Sequence, residues 1–441
     1  MFSSTRLVSA ILLALATLAA RATEIDYTLY SGVEHSDNIR LSSDNAKGES
    51  SLLPGFNFSL LQNGATVQAN IAGDIHYRRY LGGDYTDQTQ SSLAGHVNWV
   101  MLPGRLDLTA EDFASVQPVD TLASNAPENL QQTNVYSLGP TLHFRLGETL
   151  SGEGELRYIN SYAQKTKSFN SQRGQAALRI LKSLNATDQL SLNVETRRVT
   201  FSEPLQGNAD YNGSEAYARY VSKLNHVDLD VALGYSQVSL DRAASRKASS
   251  PLARLIVNWH ATERTTLGVT GSRQYSDAAQ GLMRQPAQNI SGSSGATVGG
   301  INGGTNAGNA VVSAQVYEER RAELNYAFRT ERLLLTLAAR NSKLEYSEDP
   351  TFNQTARGGS VGIDYRLQPT LTLSAYYETE RRTYQTLDRK DRTRQVLLTL
   401  TRQVNAHWSW RTSLSQQTRS SNAVGRGFHE NLIYVGVAYA R

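Results

Sequence analysis

One unit recurs through most of this sequence: a run of alternating apolar and polar residues, a short polar turn, and a second alternating run. It extends from about Ser51 to Arg441, and its clearest copy follows Thr66 with the run VQANIAGDIHYR. Side chains of a β-strand point alternately to its two faces, so each run has one apolar and one polar face. Successive hairpins of this kind are typical of a transmembrane antiparallel up-and-down β-barrel. The sequence therefore predicts an all-β fold.

The lengths of the connections support this barrel. The alternating segments number about 20, within a range of about 18 to 22. Connections after even-numbered segments are tight, as from Gln62 to Ala65, whereas those after odd-numbered segments are longer, as from His35 to Ser50. Outer-membrane barrels have short periplasmic turns and longer extracellular loops, so we expect both termini on the periplasmic side. The segments begin near Ile25, Ser51, Thr66, Gln88, Arg105, Gln132, Thr149, Gln172, Gln189, Tyr211, Val227, Pro251, Thr265, Ala314, Arg332, Ala356, Thr370, Asp391, Ala406 and Gly427.

The first 22 residues differ from the rest of the chain. Arg6 precedes an apolar stretch from Leu7 to Ala20, and Ala20 and Ala22 form a small-residue cleavage pattern. These features predict a secretory signal peptide. A membrane-anchor helix is the alternative, but the apolar part is shorter than the roughly 20 residues that span a bilayer. We therefore predict a cleaved signal peptide at residues 1–22 and a single outer-membrane barrel at residues 23–441.

The longest predicted loop covers residues 277–313 and contains the tract QPAQNISGSSGATVGGINGGTNAGNA, from Gln285 to Ala310. A segment so rich in Gly, Ser and Asn has little apolar surface to bury. We expect it to be either a disordered extracellular loop or a loop folded into the lumen. A domain boundary is the alternative, but the same strand pattern resumes beyond the tract.

Composition excludes several kinds of function. The chain has no Cys, which rules out disulfides, zinc–thiolate sites, a Cys nucleophile and an acylated N-terminal Cys. The net charge is +4 and falls to +2 if Arg6 and Arg21 leave with the signal peptide, since 42 basic residues then face 40 acidic ones. Such a balance, without a run of basic residues, does not indicate nucleic-acid binding.

Reactive groupings are few, so we predict that the chain is not an enzyme and uses no cofactor or metal. Gly358 to Gly362 fit G-x-S-x-G, but a nucleophile elbow needs a strand followed by a helix, and Ser360 begins a strand here. The eight His are dispersed and form no metal-binding motif. The carboxylate pairs Glu153/Glu155 and Glu378/Glu380 could serve glycoside cleavage, but a charged wall is the simpler interpretation. His76, His96 and His143 fall at inward positions, where we interpret them as solvated lumen residues.

The inward faces carry a mixed ladder of charges in which Arg predominates. In a water-filled barrel such a ladder favours anions and can hold acidic sugars through Arg–carboxylate contacts. Alternatively, Arg and Glu pair across strands and simply fill the lumen. The predicted pore-lining residues are Arg157, Arg173, Arg179, Arg197, Arg321, Arg340, Arg382 and Arg411, accompanied by Glu195 and Glu323.

Apolar outward faces are predicted to contact lipid, and tyrosines near the strand ends to form aromatic girdles at the membrane interfaces. Ordinary strand propensity is the alternative explanation for the 22 Tyr residues. The proposed girdle residues are Tyr27, Tyr77, Tyr80, Tyr158, Tyr162, Tyr235, Tyr275, Tyr346 and Tyr384. The predicted outward residues include Leu52, Phe56, Phe58, Leu60, Leu93, Val97, Trp99, Leu138, Leu142, Phe144, Leu333, Leu335, Leu337, Val396, Leu398 and Leu400.

Four segments resemble a known family. They are EHSDNIRLSS from Glu34, PENLQQTNVYSLGPTLHFRLGETLSGEGELRYINSY from Pro127, RKDRTRQVLLTLTRQVNAHWSW from Arg389 and the C-terminal FHENLIYVGVAYAR. Here the chain resembles the outer-membrane β-barrel proteins encoded with exopolysaccharide loci in bacteria that have the PEP-CTERM/exosortase sorting system. The resemblance covers nearly all of residues 23–441, and the segment from Pro127 is its most specific part. It implies an outer-membrane location and an association with polysaccharide export, but it supplies no catalytic or binding residues.

The C-terminus departs from the usual barrel pattern. Barrels recognised by the assembly machinery commonly end in an aromatic residue, typically Phe, whereas Tyr439 is followed here by Ala440 and Arg441. The preceding alternation of Ile433, Val435 and Val437 is suitable, so we still expect assembly.

The leading hypothesis is a Gram-negative outer-membrane barrel that supports exopolysaccharide export or surface assembly as a conduit or scaffold. Its expected partners are outer-membrane lipid, the barrel-assembly machinery, an exopolysaccharide and periplasmic export components, and no nucleic acid. A general diffusion porin for small solutes is the first alternative. An outer-membrane enzyme such as a lipid hydrolase and a secreted soluble β-protein are further alternatives.

Overall fold

The computed structural model describes residues 23–203, 210–241, 246–284 and 311–441. In these ranges the chain forms 20 wall strands, the second of them in two segments, one α-helix and three 3₁₀ turns. The 3₁₀ turns are Pro127–Asn129, Lys167–Phe169 and Pro350–Phe352. In chain order the other elements are β1 (Thr23–Ser36), β2 (Glu49–Leu52 and Gly55–Asn63), β3 (Val67–Tyr80), β4 (Gln88–Leu102), β5 (Leu106–Pro118), β6 (Leu130–Arg145), β7 (Leu150–Ala163), β8 (Ser171–Ser183), β9 (Asp188–Phe201), β10 (Tyr211–Lys223), β11 (Val227–Leu240), β12 (Arg246–Thr262), β13 (Thr265–Asp277), α1 (Ala278–Arg284), β14 (Val316–Arg329), β15 (Leu333–Tyr346), β16 (Gln354–Gln368), β17 (Leu371–Tyr384), β18 (Arg389–Gln403), β19 (Trp408–Ser421) and β20 (Phe428–Ala440).

Each strand pairs in antiparallel fashion with the next, and β20 returns to pair with β1, so the sheet has no free edge. The closing register joins Thr28 to Ala440 and Ser36 to Leu432. The predicted antiparallel up-and-down barrel of about 20 strands is thereby confirmed. Closure matters because it leaves no sheet edge with unpaired backbone groups, which a strand protein needs to avoid in order to span lipid.

Strand β2 is interrupted at Leu53 and Pro54. Proline has no backbone N–H and cannot donate in the middle of a sheet. The chain compensates, because the Leu53 amide donates to the Gly32 carbonyl at 2.9 Å and the Pro54 carbonyl accepts from Tyr77 at 2.9 Å. The pairings of Leu52 with Val33 and of Phe56 with Leu29 belong to one register, so the break shifts no side chain to the wrong face.

The seam between β1 and β20 is reinforced at both ends. At the short-turn end, the amide of Arg441 donates to the Tyr27 carbonyl at 3.0 Å. At the loop end, the Asp37 carboxylate accepts from the backbone and side-chain nitrogens of Asn431 at 2.8 and 2.7 Å. Partial burial acts to raise the pKa of Asp37, but these hydrogen bonds outweigh it and hold the pKa below its usual value.

The outer surface of the barrel is apolar over its middle. Leu192 and Leu233 are 62% and 60% exposed, and neighbouring strands present Val435 and Leu156 in the same way. The registers place every predicted outward residue on this face, beginning with the matched pairs Leu60–Ile25 and Phe58–Tyr27. No helix within the described ranges has the length and hydrophobicity needed to cross a bilayer.

The aromatic-girdle prediction is only partly correct. Tyr80, Tyr346 and Tyr384 are wrong, because the register turns them into the barrel, where they are 5%, 6% and 2% exposed. They lie on inward faces near the loop end, and the Tyr346 ring packs 5.2 Å from that of Tyr317. The registers place the other six proposed girdle residues on the outer face, namely Tyr27, Tyr77, Tyr158, Tyr162, Tyr235 and Tyr275.

Two predictions lie outside the described residues. The signal peptide was assigned to residues 1–22, and the Gly/Ser/Asn-rich tract runs from Gln285 to Ala310. The two ends of the loop that contains this tract are described, and they define the site below.

Candidate functional site: the barrel lumen

The loop between β13 and β14 turns into the lumen at both of its described ends. We refer to residues 277–284 and 311–315 as the lumen insert. Asp277 begins it and caps α1, because its Oδ1 accepts from the amide of Gln280 at 3.0 Å. A carboxylate at this position satisfies a backbone N–H that the first helical turn leaves unpaired.

Asp277 also fixes the insert to the wall. Its Oδ2 accepts from Arg173 Nη1 of β8 at 2.5 Å and from the hydroxyl of Tyr211 of β10. The side chains of Arg173 and Asp277 are 2% and 1% exposed, so the pair is removed from solvent. The Tyr317 hydroxyl of β14 donates to the Asp277 carbonyl at 3.1 Å. One residue therefore connects the helix to three wall strands.

Apolar contacts extend this attachment. Ala279 and Leu282 of α1 pack with Val312 against inward residues of β6 and β7, among them Val135 and Ile159. Further along, Ala314 and Val316 pack against Val199, Phe201, Tyr211, Val238 and Leu240, which lie on inward faces of β9 to β11. A water-filled lumen is normally lined by polar groups. The apolar inward residues at this end of the barrel therefore form a packing surface for the insert.

A second loop also turns inward at the same end. The segment joining β5 to β6 brings the carbonyl of Leu122 within 2.6 Å of Arg389 Nη1 on β18, and that of Ala123 within 3.2 Å of Arg419 Nη1 on β19. Neither β18 nor β19 is a sheet neighbour of β5. This loop and the lumen insert together narrow the mouth of the barrel on the long-loop side.

The strand registers place all eight predicted pore-lining arginines on inward faces. Seven of them form ion pairs with described carboxylates, and Arg411, which is paired in register with Thr401, lies near the short-turn end. The pairs include Arg157–Glu155, Arg173–Asp277, Arg179–Glu155, Arg179–Glu195, Arg197–Glu215, Arg321–Glu323, Arg340–Glu378, Arg340–Glu380 and Arg382–Glu380.

Some of these pairs join residues of one strand, as Arg157–Glu155, Arg321–Glu323 and Arg382–Glu380 do, and the others join different strands into networks. Arg179 Nη1 lies 2.7 Å from Glu155 on β7, and its Nη2 lies 3.5 Å from Glu195 on β9. The Tyr217 hydroxyl of β10 donates to Glu195 at 2.6 Å, which adds a fourth strand. Opposite charges on directly neighbouring strands stabilise a sheet, and here they also cancel much of the positive charge. The alternative in which inward Arg and Glu pair across strands describes this wall better than a ladder of free arginines.

The sequence motifs considered for catalysis are distributed along this wall. Ser360 lies within strand β16, paired with Ala338 and Glu378, so the G-x-S-x-G match has strand on both sides. His76 contacts Asp74 at 2.8 Å, and His143 lies 3.1 Å from Asp107. Within the described ranges, no group of His and acidic residues is arranged to hold a metal ion.

Sequence reasoning missed the central role of Asp277 and the existence of α1. The local signal is present, since Asp277 precedes the helix-forming run AAQGLMR, and an Asp before such a run is a typical N-cap. The contact between Asp277 and Arg173 leaves no such trace, because it depends on how far the strands are staggered around the closed barrel.

The fold and lumen define the class: a porin-like β-barrel of the outer-membrane type. Residues 319–441 match the model of a family described as "Putative beta-barrel porin 2". That match covers β15 to β20 and most of β14, which is less than half of the chain.

The chain is also similar to several solved outer-membrane proteins, at low sequence identity. A mutant ferric enterobactin receptor of Pseudomonas aeruginosa in complex with enterobactin is 11% identical, covering 96% of this chain and 82% of the receptor, with a TM-score of 0.48. The FrpB iron transporter of Neisseria meningitidis (F5-1 variant) is 8% identical, with coverages of 97% and 84% and a TM-score of 0.47. The outer membrane protein opdK of P. aeruginosa is 11% identical, with coverages of 95% and 99% and a TM-score of 0.39. A search of curated proteins found no match.

Proposed function

We propose that this chain is a conduit in the Gram-negative outer membrane that supports the export or surface assembly of an exopolysaccharide. The membrane location is supported by the outer surface, where residues such as Val194 and Leu192 are 60% and 62% exposed. A continuous apolar band of this kind is unusual in water and matches the lipid-facing band of transmembrane barrels.

The observation that carries the proposal is the paired lining of the lumen. Arg340 contacts both Glu378 and Glu380, and Arg382 contacts Glu380 at 2.7 Å. A lining of paired charges has a weaker net field than a row of free arginines, so it would bind small ions weakly. It still offers carboxylate oxygens, guanidinium groups and tyrosine hydroxyls, which form hydrogen bonds with the hydroxyl groups of sugars.

The lumen insert supports a gated conduit. A barrel of 20 strands encloses a wide lumen unless something fills it. Here α1 and the β5–β6 loop occupy the extracellular mouth, and both are held by contacts that a passing polymer could exchange for its own. The resting state of such a conduit would conduct little, which protects the periplasm while no polymer is in transit.

Single-channel recording of the refolded chain in a planar bilayer tests this proposal. We expect small, fluctuating conductance, further reduced when an acidic oligosaccharide is added to the extracellular side. Large, steady conductance that the oligosaccharide leaves unchanged would contradict the conduit. A folded barrel that remains silent, even when residues 285–310 are deleted, would instead favour a scaffold.

A general diffusion porin for small solutes is the second candidate, and the match of residues 319–441 to a porin family favours it. The two candidates predict different effects of deleting the gene. A conduit predicts loss of surface polysaccharide when the gene is deleted and normal uptake of small solutes. A porin predicts slower uptake of small solutes and unchanged surface polysaccharide.

A further inference from the structure

A group of basic side chains lies on the outside of the barrel, near the extracellular ends of β16, β17 and β18. Arg357 is paired in register with Arg381, and Arg381 with Arg392. Directly opposite residues on neighbouring strands project to the same face, so the three guanidinium groups lie side by side. Lys390 and Arg394 lie two residues to either side of Arg392 and share its face. All five are exposed, and we call them the outer basic cluster.

Among the described residues, no carboxylate on the same face of a neighbouring strand pairs with the three arginines of the central row. This row ends at Asn341 on one side and at Ser420 on the other. Arg357 Nε donates to Asn341 Oδ1 at 3.2 Å. Among the described residues, the one ion pair of the cluster joins Lys390 to Asp388 at 3.9 Å. Adjacent like charges destabilise a sheet, so an anion bound from outside would relieve the repulsion within this row.

On the neighbouring strands β13 to β15, the outward basic residues at the same end of the barrel are paired with carboxylates. Arg273 of β13 and Arg320 of β14 lie 2.6 and 2.8 Å from Glu318. Lys343 of β15 lies 2.7 Å from Glu345. These basic residues are also outward and near the loop end, but each has a carboxylate partner. Among the described residues, the lack of carboxylate partners for Arg357, Arg381 and Arg392 is therefore a local feature of the outer basic cluster.

A surface recess of about 660 Å³ lies within the cluster, lined by Arg357, Arg381, Arg392 and Asn422. Asp391 also borders it, but the Asp391 carboxylate is 7% exposed and bound by Arg389 at 2.6 Å on the inward side. The recess therefore presents a positive wall to an approaching group. Its size suits a compact, highly charged headgroup.

The position of the cluster identifies the ligand. On β18, the residues that follow Arg394 on the same face are Val396, Leu398 and Leu400, so the cluster borders the apolar band directly. Strands rise about 3.4 Å per residue, which places Arg394 within about 7 Å of the first apolar side chain along the strand. This is the zone where lipid headgroups meet a transmembrane barrel. A guanidinium group binds phosphate oxygens in bidentate fashion, and a row of three suits a multiply phosphorylated headgroup.

We infer that the outer basic cluster binds the phosphate groups of a phosphorylated glycolipid in the outer leaflet. This inference rests on the membrane location in the proposed function and adds a binding site on the outer wall. It does not depend on what passes through the lumen.

Native mass spectrometry of the full, detergent-purified chain tests it, with diphosphoryl lipid A as the probe and dephosphorylated lipid A as the control lipid. Two charge-assisted hydrogen bonds per guanidinium predict that Arg357→Gln/Arg381→Gln/Arg392→Gln lowers retention of diphosphoryl lipid A about tenfold or more. The matched control Arg273→Gln/Arg320→Gln removes two outward arginines that have carboxylate partners, and it should retain the lipid like the wild type. If the triple variant does not fold, Arg381→Gln alone should lower retention severalfold.

Several outcomes would overturn the inference. Equal retention by the wild type and a folded triple variant would remove the site. Equal retention of phosphorylated and dephosphorylated lipid would show that acyl-chain contacts alone hold the lipid. Displacement of the lipid by millimolar inorganic phosphate would indicate a site for free phosphate. Failure of the wild type to enter vesicles would refute the proposed membrane location and this inference together, whereas insertion without lipid A retention refutes this inference alone.

Discussion

Asp277 and Arg173 form a 2.5 Å ion pair inside the lumen although they are 104 residues apart in the chain. Asp277 is also the N-cap of α1, so the same carboxylate that starts the helix holds it against β8. A few identifiable contacts therefore hold the lumen insert at the long-loop mouth of the barrel. Each of these contacts can be removed without touching the backbone pairing of the wall.

Substitution of Asp277 by Asn should release the lumen insert. It leaves the Arg173 charge buried without its partner, which costs about 3–5 kcal/mol when a buried pair loses one member. Because the wall strands keep their register, we expect this cost to be relieved by movement of the insert. The measurement is single-channel conductance, which should rise and fluctuate more in Asp277→Asn than in the wild type.

Glu331→Gln provides the control for this experiment. It also removes one negative charge, but it lies in the exposed turn between β14 and β15, at the opposite end of the barrel. Its conductance should equal that of the wild type. If Asp277→Asn also conducts like the wild type, Asp277 does not hold the mouth closed.

Leu282→Ala tests the apolar half of the same attachment. Leu282 is 8% exposed and packs in the cluster that contains Val135, Ile159 and Phe169. Truncation of a buried Leu to Ala typically costs about 2–5 kcal/mol of stability. Here the loss weakens the contacts between α1 and the wall. Limited proteolysis should cut the β13–β14 loop faster in Leu282→Ala. Leu387→Ala, in an exposed turn, should leave the rate of cleavage unchanged, and equal rates for both variants would contradict the packing argument.

Much of the fold was predictable because a barrel wall has a simple code. Alternation with a period of two assigns both the strands and their faces, so the outward positions of Leu398 and Val396 and the inward position of Arg340 follow from parity. Closure of the sheet into a barrel was predictable because the backbone groups of an unpaired strand edge cannot be exposed to lipid. The same alternation places Tyr346 and Tyr384 inside the barrel. The girdle prediction was wrong for them because it was based on residue type and position near a strand end, without regard to the face on which each residue lies.

The lumen was less predictable, since its contacts join residues that are distant in sequence. Whether Arg179 is free or paired depends on Glu155 and Glu195, which lie on the strands on either side of it at a particular stagger. Alternation identifies the face but not the height of each residue along the axis. The outer basic cluster was hidden for a related reason: Arg357, Arg381 and Arg392 look unrelated until the registers of β16 to β18 align them.

Gly32→Val should weaken the closing seam of the barrel. A Cβ built on Gly32 would lie 2.5 Å from Tyr434 Cε2, and Tyr434 is fully buried. Overpacking of this kind costs about 1–3 kcal/mol, so the temperature at which the folded band disappears in a gel-shift assay should fall. Gly174→Val is the matched control, because no described atom beyond Gly174 and its two chain neighbours lies within 4 Å of a Cβ placed there. An equal fall in both variants would attribute the effect to strand propensity and not to Tyr434.

Glu380→Gln should make the lumen more selective for anions. Glu380 lies 2.7 Å from Arg382 and 3.3 Å from Arg340, and it is the carboxylate that these two arginines share. Its neutralisation leaves one positive charge in excess at this height of the lumen. A unit positive charge about 8 Å away in water stabilises a permeating chloride ion and destabilises a permeating potassium ion by about 0.5 kcal/mol each, so the chloride-to-potassium permeability ratio should rise roughly fivefold. The reversal potential in a potassium chloride gradient measures that ratio. Glu331→Gln should leave it unchanged, and an unchanged ratio in Glu380→Gln would mean that ions pass along a path that avoids these paired arginines.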